Sequence, residues 1–168
     1  MSRLEYAVIG TGNMGFHHAR VVSELPGVSL AAVCDSDPAR GRAAAERFGC
    51  ACFEDLHSML STLNVDAASV AVPTHLHAEV ASEVMRRGVH VLVEKPLACD
   101  LAGARELISC AESAGVKLMV GHVERFNPAV SRLKELVDAG RFGEIISLNV
   151  RRVGGLPPQV KGADVLLD

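Results

Sequence analysis

Residues 8–15 read VIGTGNMG. An apolar run, Tyr6–Ile9, stops at Gly10, and helical spacing starts at Asn13, with Phe16, Ala19 and Val22 on one side. A G-x-G-x-x-G string says little alone. Between a strand and a helix it marks the first turn of a doubly wound α/β sheet. Gly10 permits the tight turn, Gly12 removes a side chain where a phosphate approaches the backbone, and Gly15 lets helix and strand pack closely. The helix start at Asn13 and Met14 offers free N–H groups and a positive dipole end to an anion.

Working outward, apolar runs at Val28–Cys34, Cys50–Phe53, Ala67–Val72, Val89–Val93 and Lys117–Val120 predict five further strands. Helices fall between them. Asp37-Pro38, Asp55 and Asp100 are cap signals, and residues 74–88 form one helix closed by Gly88. Strand and helix alternate with short connections, which means parallel strands: an α/β Rossmann sheet. After Val120 the pattern changes. Asn127-Pro128 opens a helix to about Ala139, and IISLNVRRV (145–153) alternates, with Ile146, Leu148 and Val150 on one side. That alternation suits a half-covered strand. GGLPPQ (154–159) reads as a loop. The expected organisation is a dinucleotide-binding Rossmann domain over 1–122. A linking helix, first strand and loop of an incomplete second α/β domain follow over 123–168.

The 168 residues are 49% hydrophobic, enough for one packed domain and part of another. A net charge of −3 gives no basic surplus for nucleic acid or an anionic membrane. With no Trp and one Tyr, no stacking platform for bases is evident. The start of the chain lacks the apolar region of a signal peptide, and no stretch is long and apolar enough to span a bilayer. Five cysteines, an odd number, fit a reduced cytoplasmic protein. Cys50 and Cys52 lack a second pair, and His75 and His77 point apart on a helix, so no metal site is expected. His17, His18 and His90 read as packing, capping or structural residues.

Asp35 ends the second strand, 20 residues after Gly15, where a carboxylate accepts from the ribose hydroxyls of NAD and repels the 2′-phosphate of NADP. Ser36 and Arg40 leave room for NADP, but NAD is favoured. An S-adenosylmethionine methyltransferase shares the glycine turn and the acid, so the decision falls to the later strands. A P-loop kinase is excluded, because G-x-x-x-x-G-K-[ST] is absent. Ligands of such sheets lie beyond the carboxyl ends of the strands. Pro73, Thr74 and His77 follow the fourth strand, Glu94, Lys95 and Pro96 the fifth, and Gly121, His122, Glu124 and Arg125 the sixth. VLVEKPLA (91–98) is a buried strand that ends in charge because that end faces a cofactor. Lys95 is placed to bond a reacting hydroxyl and help carry its proton.

VIGTGNMGFHH, AVPTHLH, VLVEKPLA and GHVERFNP together resemble the Gfo/Idh/MocA oxidoreductases, a likeness that covers most of the chain. The resemblance implies NAD or NADP in an N-terminal Rossmann domain, and redox chemistry on sugars, nucleotide sugars or cyclitols in a C-terminal α/β domain. It makes Lys95 the active-site lysine. It sets Pro73, Thr74 and Glu94 along the cofactor and turns His122 and Arg125 toward nicotinamide or substrate. GHVERFNP is most similar to members acting on nucleotide sugars. The family's second active-site group is a histidine beyond the approach that GADVLLD (162–168) matches. The expectation is therefore the N-terminal part of a longer enzyme, homo-oligomeric at full length and inactive as this polypeptide alone. Residues from about 144 onward are expected to be poorly ordered, or to pair with another copy. The alternative is a dinucleotide-binding module without turnover.

Overall fold

The structure is a computed structural model that describes residues 3–151. Its elements are β1 (Leu4–Ile9), α1 (Asn13–Glu24), β2 (Val28–Cys34), α2 (Pro38–Phe48), β3 (Ala51–Phe53), α3 (Leu56–Thr62), β4 (Ala67–Val70), α4 (His77–Arg86), β5 (His90–Val93), α5 (Leu101–Ala114), β6 (Leu118–Val120) and α6 (Pro128–Asp138). Single 3₁₀ turns span Thr74–Leu76 and Val123–Phe126.

The six strands form one sheet in the order β3-β2-β1-β4-β5-β6, and every pairing is parallel. The order reverses between β1 and β4, which opens a crevice at their carboxyl ends. Apolar runs alternate faces along each strand, so helices must cover both. Ala7, Ile9, Val70, Val91 and Val93 pack in one cluster with Val84, Met85 and Leu107. On the other face Val8 and Val33 meet Ala19, Ala44 and Ala45. These buried groups supply the apolar burial that stabilises the sheet.

The caps follow the sequence chemistry. Asp37 accepts the N–H groups of Ala39 and Arg40, Asp55 that of Ser58, and Asp100 that of Gly103, each satisfying donors that a helix start leaves unpaired. The expected fourth strand is shortened. β4 ends at Val70 rather than Val72: the Ala71 N–H still donates to Ile9 O at 2.8 Å, and the chain then passes beside Gly10. The single helix expected over 74–88 begins instead as the 3₁₀ turn, with α4 starting at His77.

The first compact unit ends at Gly121 and a second begins at His122. Within the second, the Asn127 side chain caps α6 by accepting the Ala129 N–H at 3.0 Å. The strand expected over 145–153 is not formed in its described part, 145–151. Ile146 is 95% exposed, and among the described residues no strand pairs with its backbone groups. An isolated strand has nowhere to place those groups but water, so its alternation alone cannot make a sheet. The GGLPPQ loop and the GADVLLD segment lie outside the described residues. Among the described residues no helix is long and apolar enough to cross a membrane.

Candidate functional site

The glycine turn joins β1 to α1. Gly10 has φ of 84°, a left-handed conformation that disfavours a side chain, and its N–H donates to Cys34 O at 2.8 Å. A Cβ on Gly15 would lie 1.7 Å from Gly10 O, so the turn and helix touch with no space for a methyl. A Cβ on Gly12 would meet nothing within 4 Å. Sterics inside the protein therefore do not require glycine at 12, whereas an approaching ligand would. Gly12 is the N-cap of α1 and no side chain caps that helix, which leaves its first N–H groups facing outward beside the exposed Asn13 and Met14. Open ground over uncapped N–H groups fits a pyrophosphate.

Asp35, at the end of β2, is only 6% exposed. Its Oδ2 accepts from Thr11 N–H at 2.7 Å and from the Thr11 hydroxyl at 2.8 Å. Its Oδ1 accepts from Asp37 N–H at 2.8 Å and from Arg40 Nη2 at 3.0 Å. Burial alone would raise this carboxyl. The bonds from Arg40, Asp37 and Thr11 outweigh burial and hold it below its ordinary value. The acid is thus ionised and fixed, with the exposed Arg40 and Ser36 on its outer side.

The ends of β4 and β5 are bound together from within. His77 is 1% exposed, and its ring nitrogens lie 2.9 Å from Val72 O and 2.9 Å from Pro96 O. Expected beside the cofactor, its ring is instead turned inward and ties the loop after β4 to the loop after β5. Pro73 is exposed and Thr74 half-buried on the first loop, and Lys95 is exposed on the second. Glu94 is also turned inward. Its Oε1 lies 2.8 Å from His18 Nε2, and its Oε2 accepts the Lys95 N–H at 3.2 Å. The hydrogen bond from His18 is the largest influence holding Glu94 below the ordinary carboxylate range. His122 and Arg125 are exposed and belong to the second unit, where the Arg125 N–H donates to His122 O at 3.0 Å.

The structure therefore gathers Gly10, Gly12, Gly15 and Asp35 at one turn. It carries Pro73, Thr74, Glu94 and Lys95 at the carboxyl ends of neighbouring strands. Sequence reasoning missed two residues. Thr11 sits inside the glycine motif at a position that the motif leaves open. His18 follows Gly15 and precedes Ala19 and Val22 on the inward stripe of α1, a spacing that was visible in the sequence.

Residues 4–122 match the GFO_IDH_MocA family, described as an oxidoreductase family with an NAD-binding Rossmann fold. The 2,7-anhydro-N-acetylneuraminate hydratase of Mediterraneibacter gnavus is 33% identical over 92% of this chain and 41% of its own length. The UDP-N-acetylglucosamine 3-dehydrogenase of Acidithiobacillus ferrooxidans is 33% identical over all of this chain and 51% of its own. The WlbA dehydrogenase from Bordetella pertussis, crystallised with NADH and UDP-GlcNAcA, superposes with a TM-score of 0.80. That match has 30% identity and covers 84% of this chain and 43% of that one. The chain spans about half the length of the curated relatives it matches. It belongs to the Gfo/Idh/MocA oxidoreductase family, and its first unit is the NAD-binding Rossmann domain.

Proposed function

We propose that this chain holds NAD(H) across the carboxyl ends of its strands, in an enzyme that moves hydride to or from a secondary alcohol of a sugar, nucleotide sugar or cyclitol. The observation that carries the binding reading is the open ground at Gly12 above the uncapped start of α1, with the fixed carboxylate of Asp35 beside it. Asp35, ionised and pinned, accepts ribose hydroxyls and disfavours a 2′-phosphate, so NAD is preferred. Arg40, on the outer side of Asp35, is the residue through which NADP would be admitted.

Nicotinamide, when bound, supplies the hydride acceptor or donor. The protein's part is to position the reacting hydroxyl and handle its proton. Lys95 stands at the exposed end of β5, where its ammonium hydrogen-bonds the substrate oxygen, or its neutral amine takes the hydroxyl proton and becomes ammonium as hydride leaves carbon. Pro73 and Thr74 line the neighbouring strand end, and the family resemblance gives His122 and Arg125 a role at nicotinamide or substrate. The dehydrogenases among the relatives support a carbohydrate alcohol as substrate. The hydratase among them means that family membership alone does not fix net oxidation.

Titration of this chain with NADH, followed by fluorescence, and a turnover assay of the longer enzyme that contains it, on UDP-N-acetylglucosamine derivatives and inositols, test the reading together. Binding with alcohol-dependent NADH formation supports it. Binding without turnover favours a dinucleotide-binding module, and absence of binding overturns both.

A further inference from the structure

A chain of four polar side chains runs through the first unit behind the proposed nicotinamide edge. Tyr6 Oη lies 2.9 Å from Ser69 Oγ, Ser69 Oγ 2.9 Å from His18 Nδ1, and His18 Nε2 2.8 Å from Glu94 Oε1. Ser69 is 1% exposed and Glu94 6%. Nothing local in the sequence links these residues, since they come from β1, β4, α1 and the end of β5.

The direction of the last link follows from its end. An ionised carboxylate only accepts, so His18 donates from Nε2. The other ring nitrogen, Nδ1, meets the Ser69 hydroxyl, which also bonds Tyr6 Oη. Each of these polar groups has a partner, which is the condition for burying so many of them. Gly121 closes the other side: a Cβ there would lie 2.9 Å from Glu94 Oε1. The carboxylate is therefore held by α1, by the absence of a side chain at the end of β6, and by the Lys95 N–H that its second oxygen accepts at 3.2 Å.

We propose that His18 is a positioning residue, which aims the Glu94 carboxylate at the backbone of Lys95 and so fixes the lysine-bearing strand end against the cofactor. The link to the cofactor rests on the binding reading above, whereas the clamp itself does not. His18 never meets substrate in this scheme; it acts through Glu94. A misplacement of Lys95 by less than an ångström is enough to be felt at a reacting centre.

The test is an ¹⁵N–¹H spectrum of this chain and of four variants: His18→Leu, His18→Gln, Glu94→Gln and the double variant His18→Leu/Glu94→Gln. Each is titrated with NAD⁺, with thermal unfolding as a check on folding. Leucine fills the site without a donor, while glutamine offers an amide N–H to Glu94. The expected result is a Lys95 amide resonance that moves in His18→Leu and returns in His18→Gln. NAD⁺ affinity should fall about tenfold in His18→Leu. The double variant should fall no further than the worse single one, because the two residues act in series. A Lys95 amide unmoved in a folded His18→Leu protein overturns the clamp. A moved amide with unchanged NAD⁺ affinity overturns its role at the cofactor. Unmodified protein that ignores NAD⁺ overturns the binding reading, and the amide shift still decides the clamp. If His18→Leu does not fold, His18→Gln and Glu94→Gln decide: glutamine at 18 should preserve the Lys95 resonance, and glutamine at 94 should displace it. The reverse pattern overturns the proposal.

Discussion

Thr11 is joined to Asp35 twice, by its N–H at 2.7 Å and its hydroxyl at 2.8 Å, both onto the same oxygen. The glycine turn and the end of β2 are thereby one rigid unit, and the carboxylate is aimed before any ligand arrives. Asp35→Ala should weaken NADH binding about tenfold or more, the loss of a charged acceptor. It should also narrow the gap to NADPH. Thr11→Val keeps the backbone donor and loses only the hydroxyl, so its effect should be smaller. Fluorescence titration of both cofactors measures this, and a preference for NADPH in the unmodified protein would contradict the assignment.

Two glycines in the same turn should behave oppositely. At Gly15 a methyl collides with Gly10 O, and since the clash is with backbone, Gly15→Ala should lower stability by about 1–3 kcal/mol. At Gly12 a methyl meets nothing of the protein, so Gly12→Ala should melt within a few degrees of the parent and lose NADH binding. Calorimetry paired with titration separates them. An unchanged affinity in Gly12→Ala would mean that the pyrophosphate lies elsewhere.

Lys95→Met removes the exposed ammonium at the end of β5 and leaves the backbone contacts of the strand. NAD⁺ affinity should stay within about threefold, while any alcohol-dependent turnover should fall about a hundredfold. Equal losses in binding and turnover would make the lysine a cofactor-binding residue instead.

Acid should destabilise the first unit through two carboxylates. Asp35 and Glu94 both sit below their ordinary values in the folded protein. Their contribution is therefore fully present above the unfolded carboxylate range, near pH 4, and is lost as pH falls through the lower folded values. Urea unfolding at pH 6, 4 and 3 should show a steepening loss below pH 4. His18→Leu, which removes the main influence on Glu94, should lose less over the same interval.

The thiols should sort by environment. Cys34 is 4% exposed, and burial first, then Asp55 and Asp35, push it up to about 12. Cys99 is exposed. At pH 7.5 a maleimide should label Cys99 within minutes and leave Cys34 untouched until the protein unfolds, as mass spectrometry of digests would show.

The sheet was legible because its strands are continuous apolar runs, the central ones largely buried, and several of its helices carry caps that name their own starts. Asp37, Asp55 and Asp100 all cap as their positions imply. The turn at Gly10–Gly15 was legible for a similar reason, since steric demands there admit few residues. What escaped was chemistry made by distant segments. His18 and Glu94 are 76 positions apart, and nothing local in the sequence says that one will hold the other. His77 follows a strand end, which by sequence alone points to the ligand, but the two carbonyls that it meets belong to backbone, which a pattern of side chains does not show. Ile146, Leu148 and Val150 alternate as a strand would, yet period alone supplies no partner ladder.

β1 is synthesised before the sheet's other five strands but sits in the interior of the sheet, with β2 on one flank and β4 on the other. Its second neighbour begins only at Ala67, and the N–H of Glu5 waits for the side chain of Asp66, 61 positions later. On the ribosome, one flank of β1 must therefore stay unpaired while that whole stretch emerges, several seconds at about 5–20 residues per second. Nascent chains stalled before Ala67 should be more sensitive to protease, and more dependent on a chaperone, than chains released after Val93.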